Sequence, residues 1–355
     1  MAKQSRSKLV IEEEKAAYKL LLPTIIILFI VAVYPFLQVF YTSTTDRVFA
    51  GTSETQFIGL ENYTQLLGFT VRELPAKTDS EGNVIVDSET GKIEYQHPID
   101  VLPMRPIRYK EAYKFDIFGN RYVIGARSPD FLRAIVNTIL FSIIAVSLET
   151  LFGLIIALVV NSKFKGRGLM RALMLIPWAV ITVVSARMWE WMLHPSRMGF
   201  FNTVLSKIGV SNGNIAFLAT DGLQLPSVIA ADVWKTTPFM ALLILAGLQM
   251  IPQELYEAAW VDGANRVKQF MTITLPLLKP TIAVALVFRT LDSLRVFGPF
   301  QVMLGSSKYS MATYNYYQLI GNREMGLASA IGVIIFILIS LFAFFYINML
   351  GVDTE

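Results

Sequence analysis

Six stretches of roughly 20 apolar residues dominate the sequence, at about 20–41, 135–160, 172–193, 225–250, 281–304 and 327–350. A helix rises 1.5 Å per residue, so about 20 apolar residues cross a hydrocarbon core about 30 Å thick. No water inside that core can satisfy peptide groups, whereas a helix satisfies them internally. The runs therefore predict an all-α polytopic membrane protein with six transmembrane helices. Composition agrees: 16% of residues are charged, where soluble domains carry about 25%. The fourth run contains Asp232 and Lys235, and the fifth contains Arg289, Asp292 and Arg295, so hydropathy marks these two less sharply. No small-residue cleavage site follows the first run, which reads as a retained span rather than a signal peptide.

Charge bias orients the spans. The short link 161–171 holds Lys163, Lys165, Arg167 and Arg171 without an acidic residue, which marks it cytoplasmic. Residues 1–19 carry Lys3, Arg6, Lys8, Lys15 and Lys19 and fall on the same side. Both termini are then cytoplasmic: 1–19 is a cytoplasmic segment, 20–41 the first transmembrane helix, 42–133 an external insertion, 134–350 the core with helices two to six, and 351–355 a cytoplasmic tail. Loops 194–224 and 305–326 fall outside and 251–280 inside. Trp189 and Trp191, at the outer end of the third run, suit an interfacial aromatic belt.

Several functions are disfavoured by what the chain lacks. It has no cysteine, hence no disulfide or thiolate metal site, and its two histidines, His97 and His194, each precede a proline. Neither a metal site nor a catalytic group is expected. The net charge of +4 is small for the length and its basic residues cluster beside membrane segments, so no nucleic-acid partner is expected. No Gly-x-x-x-x-Gly-Lys-Ser/Thr loop occurs, so the chain does not bind ATP in the P-loop manner.

The insertion is the one candidate for independent folding. Residues 84–86 and 92–95 are short and strand-like, flanked by Glu81-Gly82 and Thr90-Gly91 turns, and 113–124 alternates around Phe118-Gly119-Asn120 as a hairpin would. A small β-containing cap between helices one and two is predicted, against the alternative of an ordered, irregular loop.

The link 251–280 carries more pattern than a loop between spans needs. Pro252 suits a helix start, and Glu254 and Glu257 favour the positive end of the helix dipole. Ala258, Ala259 and Gly263 give a small-residue patch; Asp262 and Arg266 are spaced to pair; and Leu275-Pro276 is expected to stop the helix, which spans about 252–275. The physical reading is an amphipathic helix at the membrane face that another protein can approach closely.

Here the sequence resembles a family. Glu257-Ala258-Ala259, then Gly263, then Ile273-x-Leu275-Pro276 reproduces the EAA–G–I-LP signature of permease subunits in binding-protein-dependent ABC importers, and Asp262-Gly263-Ala264 is the variant of its sugar branch. Phe57-Ile-Gly-Leu-Glu-Asn-Tyr63, Asn137-Thr138, Lys165-Gly-Arg-Gly168, Pro177-Trp178 and Phe288-Arg-Thr-Leu-Asp292 with Arg295-Val-Phe297 are similar to the larger membrane subunit of maltose-type importers. The resemblance implies that Glu257, Ala258, Ala259, Asp262, Gly263, Leu275 and Pro276 couple this chain to an ATP-binding subunit. It implies as partners a second related permease, two ATP-binding cassette subunits that carry the ATP and Mg, and an external solute-binding protein that delivers a di- or oligosaccharide. No cofactor bound by this chain itself is implied. The chain departs from the family in the insertion at about 68–129, and in Gly305-Ser-Ser-Lys308 where Gly-Gly-Pro is frequent. The alternatives are a permease for another solute, such as a polyol or glycerol phosphate, and an ion-driven secondary transporter.

An ionisable residue inside a span faces a cavity or a partner charge. Arg289, Asp292 and Arg295, three apart, fall on one side of helix five. They form the expected substrate path together with Asn315 and Tyr316, which have Tyr314 and Tyr317 as neighbours; packing ion pairs and an aromatic belt are the competing roles. Glu149 and Arg187, at similar depths in antiparallel spans, are expected to pair.

Overall fold

The computed structural model describes residues 8–350 apart from 53, 80, 81, 87–92 and 106. The 351–355 tail, the first seven residues of the 1–19 segment, and Glu81, Thr90, Gly91 and Lys92 lie outside the described residues. Among the described residues, five helices are long and apolar enough to cross a membrane, or six if one bent pair counts as a single span. The chain divides into two compact units, Met1–Thr64 with Gln318–Val333, and Gln65–Tyr317 with Ile334–Glu355.

In the first unit, α1 (Lys8–Leu28) and α2 (Tyr34–Thr42) are joined by one wide helical turn at Phe29–Val33. Together they supply the first span, Glu12–Thr42, whose most apolar stretch buries nothing against the rest of the chain. The Phe57–Tyr63 element ties down the end of that span. Asn62 Nδ2 donates to the carbonyls of Ser43 and Thr45 at 2.9 Å each, and Tyr63 Oη lies 2.6 Å from Ser43 Oγ. Arg323, at φ +61°, donates to the carbonyls of Phe49 and Ala50.

The second unit begins within α3 (Glu61–Leu67) and carries an antiparallel sheet of β1 (Phe69–Glu73), β2 (Lys110–Ile117) and β3 (Asn120–Ala126) in the order β1-β3-β2. The hairpin expected around Phe118-Gly119 is present. Ile117 pairs with Asn120, and both loop residues have positive φ (+50° and +86°), the geometry whose twist matches a two-residue hairpin. The other expected strands form only isolated bridges, Thr78↔Val84, Val86↔Ile93 and Ala76↔Tyr95. β1 takes the place they were expected to fill, because its full length pairs with β3. Short α4 (Pro98–Val101) precedes Leu102, which packs with Leu74 and Val123 beneath the sheet. Arg133 Nε, one turn into the next helix, donates to Ala112 O at 3.1 Å and seats the hairpin on that helix.

The helical body follows. α5 (Pro129–Asn161) opens with Pro129, whose missing N–H costs nothing in a first turn. The third span is not the continuous helix expected at 172–193. It is built of α6 (Arg167–Met174), α7 (Ile176–Ala179) and α8 (Thr182–Met192), with a 90° bend where Val180 and Ile181 adopt extended backbone. α9 (Phe200–Lys207) leads to α10 (Asp221–Gln249), which packs along α5. Trp189 is not in an aromatic belt: it is buried, stacked on Phe201 and edge-on to Trp234, whereas Trp191 is exposed.

After α11 (Gln253–Val261), α12 (Arg266–Gln269) runs through a wide turn at Phe270–Thr274 into α13 (Leu275–Ser293). Leu275-Pro276 therefore does not stop a helix. The wide turn, in which Leu275 N–H reaches back to Phe270 O, absorbs the proline, and the fifth apolar element extends from Arg266 to Met303. It is interrupted before α14 (Gly298–Met303), which α15 (Met311–Tyr316) and α16 (Met325–Leu350) follow. Phe141 of α5 and Phe300 of α14, both fully buried, meet edge-to-face at the centre of the core.

Candidate functional site

Two places carry chemistry. The first is α11, which is shorter than the 252–275 expected for it. Gly263 sits at φ +76° just beyond its end, a conformation that favours glycine. Ala264 N–H bonds Ala259 O at 2.8 Å and Gly263 N–H bonds Trp260 O at 3.0 Å, the paired pattern that closes a helix with a left-handed residue. Gly263 is thus not the end of a small-residue stripe on the helix but the turn that stops it. That turn places Asp262 and Arg266 on either side of a break, so the expected four-apart pair does not form. Asn265 restarts the chain by capping Lys268 N at 2.9 Å.

Glu257, Ala258, Asp262 and Gly263 are exposed and Ala259 is half-buried. Beside them Leu255, Trp260 (75% exposed) and Val261 present apolar surface that nothing among the described residues covers. A Cβ added at Gly263 would meet nothing within 4 Å, so the surface around the turn is open. Tyr256 Oη, 2.9 Å from Thr274 Oγ1, fastens α11 to the wide turn that enters α13.

The second place is inside the bundle. Arg289 of α13, 4% exposed, holds three carboxylates from three helices. It grips Glu149 of α5 with one edge of its guanidinium, Nε to Oε2 at 2.5 Å and Nη2 to Oε1 at 2.9 Å. Nη2 also donates to Asp232 Oδ2 of α10, and Nη1 to Asp292 Oδ2, one turn along α13, at 2.9 Å. Thr236 Oγ1 adds a bond to Glu149 Oε1 at 2.5 Å. A buried charge is tolerated when paired and hydrogen-bonded, and a planar guanidinium fork suits several carboxylates at once.

The expected Glu149–Arg187 pair is absent. Arg187 is 62% exposed and binds Glu190 at 2.7 Å within its own helix. The bend before α8 is the reason: depth counted along a straight third span puts Arg187 opposite Glu149, and the bent helix points it elsewhere.

Beside the cluster lies a polar recess of about 240 Å³, lined by Asp232, Lys235, Thr236, Arg289, Asp292 and Arg295 with Trp178, Thr182 and 296–299. Asp292 and Arg295 are mostly exposed and 3.8 Å apart. Lys235 Nζ donates to Trp178 O, and the Trp178 ring stacks on Phe239. Three of the expected path residues, Arg289, Asp292 and Arg295, thus meet at one place. Tyr316 stands one ring away, edge-on to Phe297 at 5.4 Å, and Asn315 is not in the recess wall. Tyr314 is structural: it is buried, bonded to Ser128 and packed on Phe131. Asp232, Lys235, Thr236 and Trp178 were not among the expected site residues. The signal that marks them is Asp232-x-x-Lys235-Thr236 inside an otherwise apolar run, one helical turn of polar groups.

The family described as "Binding-protein-dependent transport system inner membrane component" matches residues 149–351. The trehalose/maltose transport system permease protein MalF of Thermococcus litoralis is 47% identical over 64% of this chain and 76% of its own length. The sulfoquinovosyl glycerol transport system permease protein SmoG of Agrobacterium fabrum is 31% identical over 91% of this chain and 86% of its own. Among solved structures, a chain of a bacterial alginate ABC transporter in complex with a pentasaccharide-bound periplasmic protein has the same fold, with a TM-score of 0.69 at 24% identity over 97% of each chain.

Proposed function

Since this chain belongs to the inner membrane components of binding-protein-dependent transport systems and is multi-pass, we propose that it forms one half of the path of an ATP-driven carbohydrate importer. The observation that carries the reading is the mechanical line from α11 to the Arg289 cluster. α11 offers an open, partly apolar surface and is fastened by Tyr256 to Thr274; Thr274 enters α13, and α13 carries Arg289 and Asp292 into the recess. A partner that moves α11 moves one wall of the recess, while the walls on α7, α8 and α10 belong to other helices. Alternating access needs such an element, with two arrangements that a remote site can bias.

The cargo reading rests on chemistry and kinship. The recess offers carboxylate acceptors, guanidinium and ammonium donors and an indole face, which suit hydroxyl groups and a sugar ring. Relatives named for trehalose, maltose and sulfoquinovosyl glycerol transport point the same way. At about 240 Å³ the recess is smaller than the roughly 300–1,000 Å³ of ordinary ligand pockets. A second, related permease would supply the facing wall. Two ATP-binding subunits would dock on the α11 of each permease and hydrolyse the ATP, and an external solute-binding protein would deliver the sugar.

Gly263→Trp tests the docking. The bulky side chain would strain the turn and stand on the open surface. ATP hydrolysis by the assembled complex should no longer respond to sugar-loaded binding protein, and uptake should fall by more than about tenfold, the loss of roughly 1.4 kcal/mol of coupling. Wild-type uptake from a fully inserted Gly263→Trp variant would refute it.

A further inference from the structure

We propose that residues 162–174, the turn after α5 together with α6, seat the headgroups of anionic phospholipids and so hold the arm that ends in the recess wall. Lys163, Lys165, Arg167 and Arg171 fall within nine residues, and no acidic residue occurs between Glu149 and Glu190. Lys163 and Lys165 are exposed, and neither they nor Arg167 has an ion-pair partner among the described residues. The segment is a concentrated positive surface that its own fold leaves uncompensated.

Its shape fits a membrane surface. Gly166, at φ +92°, turns the chain, and α6 then runs eight residues. Arg167 and Arg171 are four apart on one face; Leu169 and Leu173, both exposed, stand on the opposite one. A basic helix with a leucine face lies in the interface, with its apolar side at the acyl boundary and its cations among headgroups. The positive-inside rule puts this link on the cytoplasmic leaflet, where anionic lipid gathers.

Arg171 sharpens the ligand. Its Nη2 reaches Val160 O at 3.4 Å, at the end of α5, while its Nε is buried without a hydrogen-bond partner. The remaining N–H groups at the tip of Arg171, with Arg167 one turn away on the same face, suit an anion with several acceptor oxygens. A lipid phosphate is that anion, and the exposed leucines of α6 favour one attached to acyl chains over free phosphate.

The seat is tied to the recess. α6 leads directly into α7, where Trp178 stacks on Phe239 and its carbonyl accepts from Lys235. A headgroup that holds α6 therefore holds that part of the recess wall. The transport consequence rests on the importer reading above; the lipid seat itself does not.

The test uses the assembled complex purified from nanodiscs of phosphatidylcholine with about 30% phosphatidylglycerol, in which each basic residue near an anionic surface changes partition about fivefold. Native mass spectrometry counts the retained lipids, and solute uptake is followed in liposomes with and without phosphatidylglycerol. Wild type should retain phosphatidylglycerol over phosphatidylcholine by about tenfold, with uptake that rises with the anionic fraction. The variant Lys163→Gln/Lys165→Gln/Arg167→Gln should lose both responses, and the Lys163→Arg/Lys165→Arg variant should keep both. Wild-type lipid retention by the triple Gln variant would overturn the proposal. So would loss of the ATP-binding subunits from that variant in every lipid mixture, which would mark the surface as a protein contact. Lipid counts need no solute, so a failed lipid seat is distinguishable from a wrong cargo.

Discussion

Replacing Arg289 by glutamine removes the cation that touches both Glu149 and Asp232 and leaves a shorter, neutral side chain with some hydrogen-bonding capacity. Glu149 is 0% exposed at the side chain and cannot turn to water, and Asp232, 9% exposed, meets only the narrow recess. Removing one partner of a buried ion pair costs about 3–5 kcal/mol, because an uncompensated charge stays behind. At roughly 2–4 °C per kcal/mol, the melting temperature should fall by about 6–20 °C. The five tryptophans provide the signal in purified complexes. The reasoning also fixes the second step. Adding Glu149→Gln to Arg289→Gln removes one stranded charge, so the double variant should melt higher than Arg289→Gln alone, with a coupling of about 1–3 kcal/mol. Arg289→Lys should restore little, since a single ammonium cannot present the same planar fork to three carboxylates. An Arg289→Gln protein that melts within about 1 °C of wild type, or strict additivity of the two substitutions, would refute the claim that this guanidinium neutralises the interior.

Asp292→Ala separates transport from packing: Asp292 is 66% exposed, so its loss should cost no more than about 1 kcal/mol of stability. Uptake or sugar preference should nevertheless change, and unchanged transport would leave Asp292 outside the path. Gly247→Leu should lower the melting temperature, because even a Cβ there would lie 2.8 Å from Thr281 Cβ where α10 meets α13. Overpacking of this kind costs about 1–3 kcal/mol, and Thr281→Ala should recover part of it. Phe118→Asn should slow amide exchange at the hairpin by about 0.5–1 kcal/mol, since it installs Asn-Gly where both residues have positive φ; faster exchange would count against the assigned turn. The Arg121 guanidinium holds the Asp116 carboxyl below its ordinary value. With the folded pKa depressed, the pair's contribution is complete above the ordinary carboxylate pKa of about 4 and is lost as pH falls through the lower folded value. Hairpin exchange protection should therefore be flat from pH 7 to about pH 5 and fall only below about pH 4, and Asp116→Asn should abolish that acid-dependent loss.

Apolar length was enough to locate the first, second and sixth spans, because a helix is the structure in which a single segment of 20 residues satisfies its own peptide groups in hydrocarbon. It misled where backbone geometry overrides hydropathy. Residues 172–193 are mostly apolar, and composition contains no mark of the extended Val180-Ile181 pair that bends the element by 90°. Leu275-Pro276 misled in the opposite sense. A proline inside a helical pattern reads as a stop, yet the wide turn at Phe270–Thr274 lets the helix pass it. Gly263 was legible as special but not as to why. Four residues after Ala259 it fits a helix face equally well, and only its φ of +76° shows it to be the terminator.

The buried cluster shows what spacing can and cannot decide. Arg289 and Asp292, one turn apart in α13, and Arg295, in the turn that follows it, converge on one recess, as their spacing of three suggests. Partners on other helices do not follow, because depth in the bilayer constrains only one coordinate while rotation about each axis and any bend remain free. Glu149 and Arg187 share a depth on a straight-helix count, and the bend sends Arg187 to Glu190 instead. Charge economy narrows the choice. A carboxylate with no exposure must have a cation that is equally buried, and an exposed arginine can satisfy itself within one turn of its own helix. Of the three arginines in the third and fifth apolar runs, Arg187 and Arg295 are exposed and each has a carboxylate three residues away, Glu190 and Asp292. Arg289 alone is both deep and in need of more than Asp292 to fill its fork. The structure adds what spacing lacks: Glu149 and Asp232, both buried, fill that fork from two other helices.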